Sequence, residues 1–286
     1  MSLQRRAAVR NTLIVLMITA AVMICAGCGP AGKAADQAKE RTDTAETETA
    51  ALPALAAESP QPAEKMSGVM SFQAFLAAED DSPVTVEGYV QAKEARRDGC
   101  CGLYMQNEEG AYYLSRLRCS QQEYDTLKTG RKIRVNGYKS HWNDAIEISD
   151  ASFTLLEGNL IAEAEDVTAL IGSDALRRHQ NEKVAFSGMT VEVMPDGHSV
   201  WYRGWDNTAP AEEDSELWFR ASSAGTVCDF TVKPSLCENR DEVLETLQQL
   251  QAGDRVDLTG FLRFYNGALP RITAITQSEG MLTEAS

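Results

Sequence analysis

Two stretches decide the fold: Leu127-Lys128-Thr129-Gly130-Arg131-Lys132-Ile133-Arg134-Val135-Asn136-Gly137 and Leu250-Gln251-Ala252-Gly253-Asp254-Arg255-Val256-Asp257-Leu258-Thr259-Gly260. Each leaves a helix-forming segment, passes a glycine and enters an alternating run that reaches a second glycine. In both the two glycines are seven residues apart. Apolar residues at every second position mark a strand with one buried face. The same spacing twice in one chain marks a duplicated unit, which has to be sought before single motifs are read.

The likeness extends outward in both directions. A helix candidate over 71–79 precedes Pro83-Val84-Thr85-Val86-Glu87-Gly88, and one over 167–179 precedes Lys183-Val184-Ala185-Phe186-Ser187-Gly188. Cys119 and Cys237 open the helical segments that lead to the quoted stretches. Five residues past the second glycine, Trp142-Asn143 and Tyr265-Asn266 each turn the chain into a last strand, 145–148 and 269–275. In the first copy Asn107-Glu108-Glu109-Gly110 forms the turn of a hairpin between 102–106 and 111–117. From the first strand's glycine to the one before the fourth strand, the second copy takes 65 residues where the first takes 42. A polar insertion over 206–216 and an extra strand candidate over 226–233 absorb the excess. Five short strands with a helix between the third and fourth is the order of an OB-fold. The expected fold is mainly β, with two tandem OB-fold-like five-stranded barrels over 69–157 and 158–278.

The segments Val84 to Gly88, Gly102-Leu103-Tyr104-Met105-Gln106 with Gly110-Ala111-Tyr112-Tyr113, and Leu127 to Gly137 with Tyr138-Lys139-Ser140 carry a resemblance. They look like the OB-fold modules of lipoproteins from gut-type Gram-positive bacteria and, more distantly, nucleic-acid-binding OB domains. The resemblance implies a binding scaffold rather than a particular activity.

Ahead of the barrels, Arg5, Arg6 and Arg10 followed by an apolar run over 13–24 read as an export signal over 1–27. Ala26-Gly27-Cys28 resembles a bacterial lipobox, departing from it at Cys25, where leucine is usual. Lipidation of Cys28 would anchor the chain in the cell membrane on its extracytoplasmic face, and two acyl chains suffice for a stable anchor. Residues 28–68, rich in Ala, Glu, Thr and Pro, read as a disordered tether, and 279–286 as a flexible tail.

Charge narrows the partners. The whole chain carries a formal −15, and cleavage before Cys28 removes three arginines and no acid, leaving −18. Residues 69–152 hold ten basic and thirteen acidic side chains, and 153–286 ten and twenty-two. A surface built for a nucleic-acid backbone shows a basic stripe, so net charge disfavours nucleic acid, which stays the alternative through the first module. The preferred ligand is an extracellular glycan, peptide or partner protein.

OB-folds bind on strands two and three and in the loops joining strands one to two and four to five. In the first module that region supplies Lys93, Arg96, Arg97, Tyr104, Tyr112, Arg116, Arg118, Lys139, His141 and Trp142, basic groups and flat rings suited to stacking and hydrogen bonding. Alternation leaves open whether Tyr104 or Tyr113 instead completes the core. In the second module Trp201, Tyr202, Trp205, Trp218, Phe219 and Tyr265 suit a sugar or protein surface better than a nucleic acid, with the alternative that most of them are core.

Five cysteines follow the lipobox: Cys100, Cys101, Cys119, Cys228 and Cys237. In an oxidising compartment Cys228 with Cys237, and Cys101 or Cys100 with Cys119, are candidate disulfides, with one thiol left over. The equivalent repeat positions of Cys119 and Cys237 allow core thiols instead. Adjacent cysteines lack the spacing of a zinc site with His141. The histidines His141, His179 and His198 stand in no nucleophile-elbow, Walker-type or helical metal-ligand motif. The expectation is a non-enzymatic binding protein needing no cofactor or metal.

Overall fold

The computed structural model describes residues 68–278. The expected export signal, the lipidation expected at Cys28, the expected tether before Gly68 and the tail after Ser278 lie outside the described residues.

Two closed barrels follow one another. The first comprises α1 (Phe72–Ala77), β1 (Pro83–Lys93), β2 (Cys100–Gln106), β3 (Ala111–Arg118), α2 (Gln121–Thr126), β4 (Arg131–Trp142) and β5 (Ala145–Asn159). Its strands close in the order β1-β2-β3-β5-β4, with β4 pairing back onto β1. All pairs are antiparallel except β3 with β5, where Leu114 faces Ile148 and Leu117 faces Ala151. Val86, Leu103, Met105, Leu114, Ile133, Val135 and Ile148 fill the interior. At one end Phe75 of α1 plugs the barrel against Tyr112, ring centroids 5.0 Å apart. Helix α2 starts at a capping box, in which Ser120 Oγ accepts from Glu123 N and Glu123 accepts from Ser120 N.

The second barrel contains β6 (Glu165–Asp166), two 3-10 turns (Thr168–Leu170 and Asp174–His179), β7 (Lys183–Glu192), β8 (Trp201–Arg203), β9 (Leu217–Ser223), β10 (Thr226–Val232), a 3-10 turn (Pro234–Leu236), α3 (Arg240–Gln249), β11 (Arg255–Phe261) and β12 (Arg271–Gln277). Its ring runs β7-β9-β10-β12-β11 and closes on β7, with β10 and β12 parallel. This is the strand order of the first barrel again, so the chain carries two OB-type barrels. The interior is built on Phe186, Phe219, Phe230, Val256, Leu258 and Ile272.

Two expectations need correction. The segment 226–233 is no extra strand: β10 is the third strand of the ring, pairing with both β9 and β12. The added strand is β8, which extends the edge of β9, and the polar loop over 206–216 connects the two. The helix expected over 167–179 is two 3-10 turns, interrupted where Gly172 adopts φ +79°.

The repeated glycines have a packing cause. A Cβ on Gly137 would stand 2.6 Å from Ile148 Cγ2 and 2.9 Å from the Ser149 carbonyl, and one on Gly260 would run into the Arg271 backbone carbonyl. At both places the ladder to the last strand shifts register, so the fourth strand coils tightly over its neighbour. Gly137→Ala is expected to cost about 1–3 kcal/mol, as overpacking does. Gly260→Ala should cost more, because its obstacle is backbone and has no rotamer to escape into. Urea unfolding of both variants checks the order.

Candidate binding site beside the barrel joint

The outer face of β2 and β3, where the sequence places the ligand, is the joint between the barrels. Tyr104 and Tyr113 are cross-strand partners pointing outward, and the second barrel covers them. The Tyr104 ring stacks on Phe261 with centroids 4.4 Å apart and planes 13° apart. Beside this stack Arg271, only 7% exposed, reaches from β12 into the first barrel. Its Nη1 lies 2.5 Å from Glu94 Oε1 and its Nε 3.1 Å from Glu216 Oε1. The Tyr113 hydroxyl donates to the same Glu94 oxygen at 2.7 Å. Burial, and then the Glu94 charge, push the Tyr113 phenol well above its ordinary pKa, so it stays a donor. Around the rim, Lys183 N donates to Gln106 Oε1, Asn181 Nδ2 to the Ile146 carbonyl, and Gly267 N to Asp144 Oδ2.

The residues expected to share one ligand face are therefore dispersed. Tyr104 lies in the joint. Tyr112, one residue out of phase with Tyr113, faces the core against Phe72 and Phe75. Lys139 is buried and structural: its ammonium donates to the carbonyls of Leu76 and Ala78, both at 2.6 Å, closing the end of α1. Lys93 does the same for α2, donating to the Tyr124 carbonyl with its nitrogen 3.7 Å from the Tyr124 ring centroid. Burial lowers the Lys93 pKa. Arg96 donates to the Cys119 carbonyl, and Arg97 pairs with Asp214 of the second barrel. Arg116 and Arg118 are exposed, the latter paired with Asp150. His141 binds Asp80, and Trp142 is 61% exposed at the far end of β4.

The candidate disulfides are absent here, and all five thiols are free. Cys101 and Cys119 share the first core with their sulfurs 3.9 Å apart. Cys237 packs in the second core, its thiol directed at the carbonyls of Lys233 and Ile272 rather than at Cys228. Burial pushes the Cys237 thiol up to about 12. Cys119 and Cys237 thus occupy equivalent core positions in the two copies.

Two cavities flank the joint. One, of about 440 Å³, sets Arg96, Arg97 and Arg240 against Glu212, Glu213 and Asp214. Its charges are largely spent on one another, Arg240 lying 2.7 Å from Glu213 and Arg97 3.4 Å from Asp214. The other, of about 310 Å³, opens beside α1. Its wall is apolar, formed by Phe72, Phe75, Leu76, Ala111 and Ile146, and the second 3-10 turn supplies its polar edge. On that edge Gln180 is 7% exposed, and neither its amide nitrogen nor its amide oxygen has a hydrogen-bond partner. Burying such a group unpaired costs about 1–3 kcal/mol, so the side chain calls for an explanation.

Sequence reading passed over Gln180, because glutamine in a polar turn has no distinguishing pattern. It also passed over Glu165 and Glu182, and placed His179 in no metal-ligand motif, although the ligand atoms of all three lie close enough to hold one divalent cation. His179 Nδ1 lies in hydrogen-bond contact with Glu182 at 2.9 Å and 3.6 Å from Glu165, which already accounts for the cluster without an ion.

No protein-family model matches the chain, and no curated protein does. Among solved structures it is similar to a murine DNA-binding protein bound to double-stranded DNA, at 9% identity over 68% of this chain and 96% of that one, TM-score 0.33. It is also similar to an OB domain from Methanosarcina mazei, at 11% identity over 32% and 86%, TM-score 0.26. The hypothetical protein ygiW of E. coli matches at 13% identity over 33% and 94%, TM-score 0.24. At these scores the likenesses carry no argument about function, and the barrel assignment rests on strand order.

The joint makes a stability prediction. Arg271→Ala leaves Glu94 and Glu216 without their shared cation and should cost about 3–5 kcal/mol. Arg118→Ala breaks only an exposed pair and should leave the urea midpoint unchanged within error.

Proposed function

We propose that the chain is a non-catalytic binding protein, lipid-anchored through Cys28 on the extracytoplasmic face of the cell membrane, which takes its ligand in the cavity beside α1. The observation that carries this reading is the apolar hollow of about 310 Å³ walled by Phe72, Leu76, Ala111 and Ile146, with the polar side chains of Asp174, Arg177 and Arg178 along its edge. An apolar hollow with a few convergent polar groups is the usual form of a small-ligand site.

The reading moves the ligand away from the β2–β3 face of the first barrel, since Tyr104 and Tyr113 are packed under the second. It also weighs against nucleic acid, because Tyr104 and Tyr112 are buried, Trp142 is exposed away from them at the far end of β4, and the arginines of the larger cavity are offset by acids. A glycan, a peptide or part of a partner protein remains the ligand class.

Three measurements test the parts separately. Cys28→Ser should move the protein from the membrane to the soluble fraction, and the native chain should yield a diacylglycerol-modified N-terminal peptide; a soluble native chain would remove the anchor. Fluorescence anisotropy with single-stranded DNA at two salt concentrations should show no saturable binding. Salt-sensitive binding lost in Arg96→Ala/Arg97→Ala would establish the nucleic-acid alternative instead. A fragment screen by two-dimensional NMR should perturb amides of 72–76 and 174–181; hits confined elsewhere would displace the site.

A further inference from the structure

Five thiols stand in the two barrels, and their surroundings sort them. Cys101 and Cys119 face the interior of the first barrel, 3% and 6% exposed, with their sulfurs 3.9 Å apart. Cys100, the residue before, is turned the other way by strand alternation. It is half-buried and stands opposite Arg118 in the register of β2 with β3. In the second barrel Cys237 directs its thiol at the carbonyls of Lys233 and Ile272, and Cys228 lies half-buried on β10 opposite Ala221. Among the described residues only Cys101 and Cys119 bring sulfur against sulfur.

The main chain holds both members of this pair in place. Cys101 is a ladder residue of β2, opposite Leu117 of β3. Cys119, two residues past Leu117, is fixed from both sides: its N–H donates to the Gly99 carbonyl at 3.0 Å, and its carbonyl accepts from Arg96 Nε at 2.8 Å. Both anchors lie in the turn that leads into β2, so the backbones of 101 and 119 stay together as long as that turn does. A disulfide needs its sulfurs about 2.05 Å apart. Each sulfur therefore has to move by about 0.9 Å, a step that side-chain rotation covers with the backbone kept.

We infer that Cys101 and Cys119 are a disulfide-forming pair, joined when the chain folds under oxidising conditions, with Cys100, Cys228 and Cys237 left as thiols. The oxidant is a disulfide, RSSR. One thiolate of the pair attacks it, forming a mixed disulfide and releasing RS⁻. The other then attacks the bound cysteine sulfur, closing the Cys101–Cys119 bond and releasing the second RS⁻. The two thiol protons go to the leaving groups, so RSSR is reduced by two electrons to two RSH.

Burial governs when this happens. Only the thiolate attacks, and burial, then the neighbouring Cys119, push the Cys101 thiol well above its ordinary pKa. Both sulfurs are also enclosed in the core, so the exchange belongs to the folding chain and not to the finished barrel. The two cysteines are 18 residues apart and bracket the whole β2–β3 hairpin. The bond ties the open end of the hairpin whose outer face, Tyr104 and Tyr113, meets the second barrel.

The test uses the full chain carrying Cys25→Ser and Cys28→Ser, which leaves the five barrel cysteines. It is refolded from urea with reduced and oxidised glutathione, its remaining thiols are blocked with iodoacetamide, and protease fragments are mapped by mass spectrometry before and after reduction. A link between the fragment holding Cys100 and Cys101 and the fragment holding Cys119 is expected, lost on reduction. Cys100→Ser, on the half-buried side of β2, decides between the two neighbours, and the link should persist in it at the parental yield. Loss of the link in Cys100→Ser would make Cys100 the bonding partner, and no link to Cys119 in the parent would overturn the pair altogether. A Cys228–Cys237 link would contradict the sorting of the second barrel's thiols. Urea unfolding reads the native state. Parent and Cys100→Ser should both unfold at a higher midpoint when oxidised than in excess reductant, as a cross-link that restricts the unfolded chain requires, and Cys119→Ala should show no such difference. A lower midpoint for the linked chain would mean that the bond distorts the barrel, and the native pairing would be refuted.

Discussion

The structure depends on one buried cation. Arg271 leaves the last strand of the second barrel, crosses to the first and is held between Glu94 and Glu216, with the Tyr104–Phe261 stack beside it. A buried ion pair adds little to stability compared with a well-packed apolar substitute, but it tolerates few arrangements, since either partner left alone is an uncompensated charge. The Arg271 group therefore acts on geometry. The rings supply apolar contact that permits many registers, and the guanidinium with its two carboxylates selects one.

That selection decides where ligand is able to bind. In a free OB barrel, strands two and three offer an open face. Here the first barrel gives that face to its neighbour, and what remains accessible lies at the edges of the joint: the charged cavity under Arg97 and Arg240, and the apolar one between α1 and the connecting turns. The second cavity exists because duplication was unequal. In the first copy α1 plugs the barrel with Phe75, whereas the second replaces that helix with two 3-10 turns broken at Gly172, and these end beside α1 at Gln180.

Much of the fold was legible in the sequence, for physical reasons that are easy to name. Gly137 and Gly260 recur because the last strand leaves no room for a Cβ, through the Ile148 side chain and Ser149 carbonyl at the first and the Arg271 backbone at the second, and a steric rule of that kind survives divergence of the surrounding residues. Alternation in β4 and β11 likewise follows from one buried face. Alternation places Tyr104 and Tyr113 on the opposite face from Tyr112, but says nothing about what covers the outward face, and so it does not show that these two rings are packed in the joint. Lys93 and Lys139 look like surface cations in sequence and are cap ligands in space, because the carbonyls they satisfy lie 31 and 63 residues away. The third strand of the second barrel was misassigned for a related reason: β8 and its loop lengthen the hairpin, and length alone does not tell which strand is the addition.

The most direct test of the account is scanning calorimetry of the intact chain. A joint held by a buried ion pair and a ring stack couples the two barrels, so one cooperative transition is predicted, with calorimetric and van 't Hoff enthalpies equal within error. Two resolved transitions, each carrying part of the enthalpy, would mean that the barrels unfold independently, and the covered face of the first barrel would again be open to ligand.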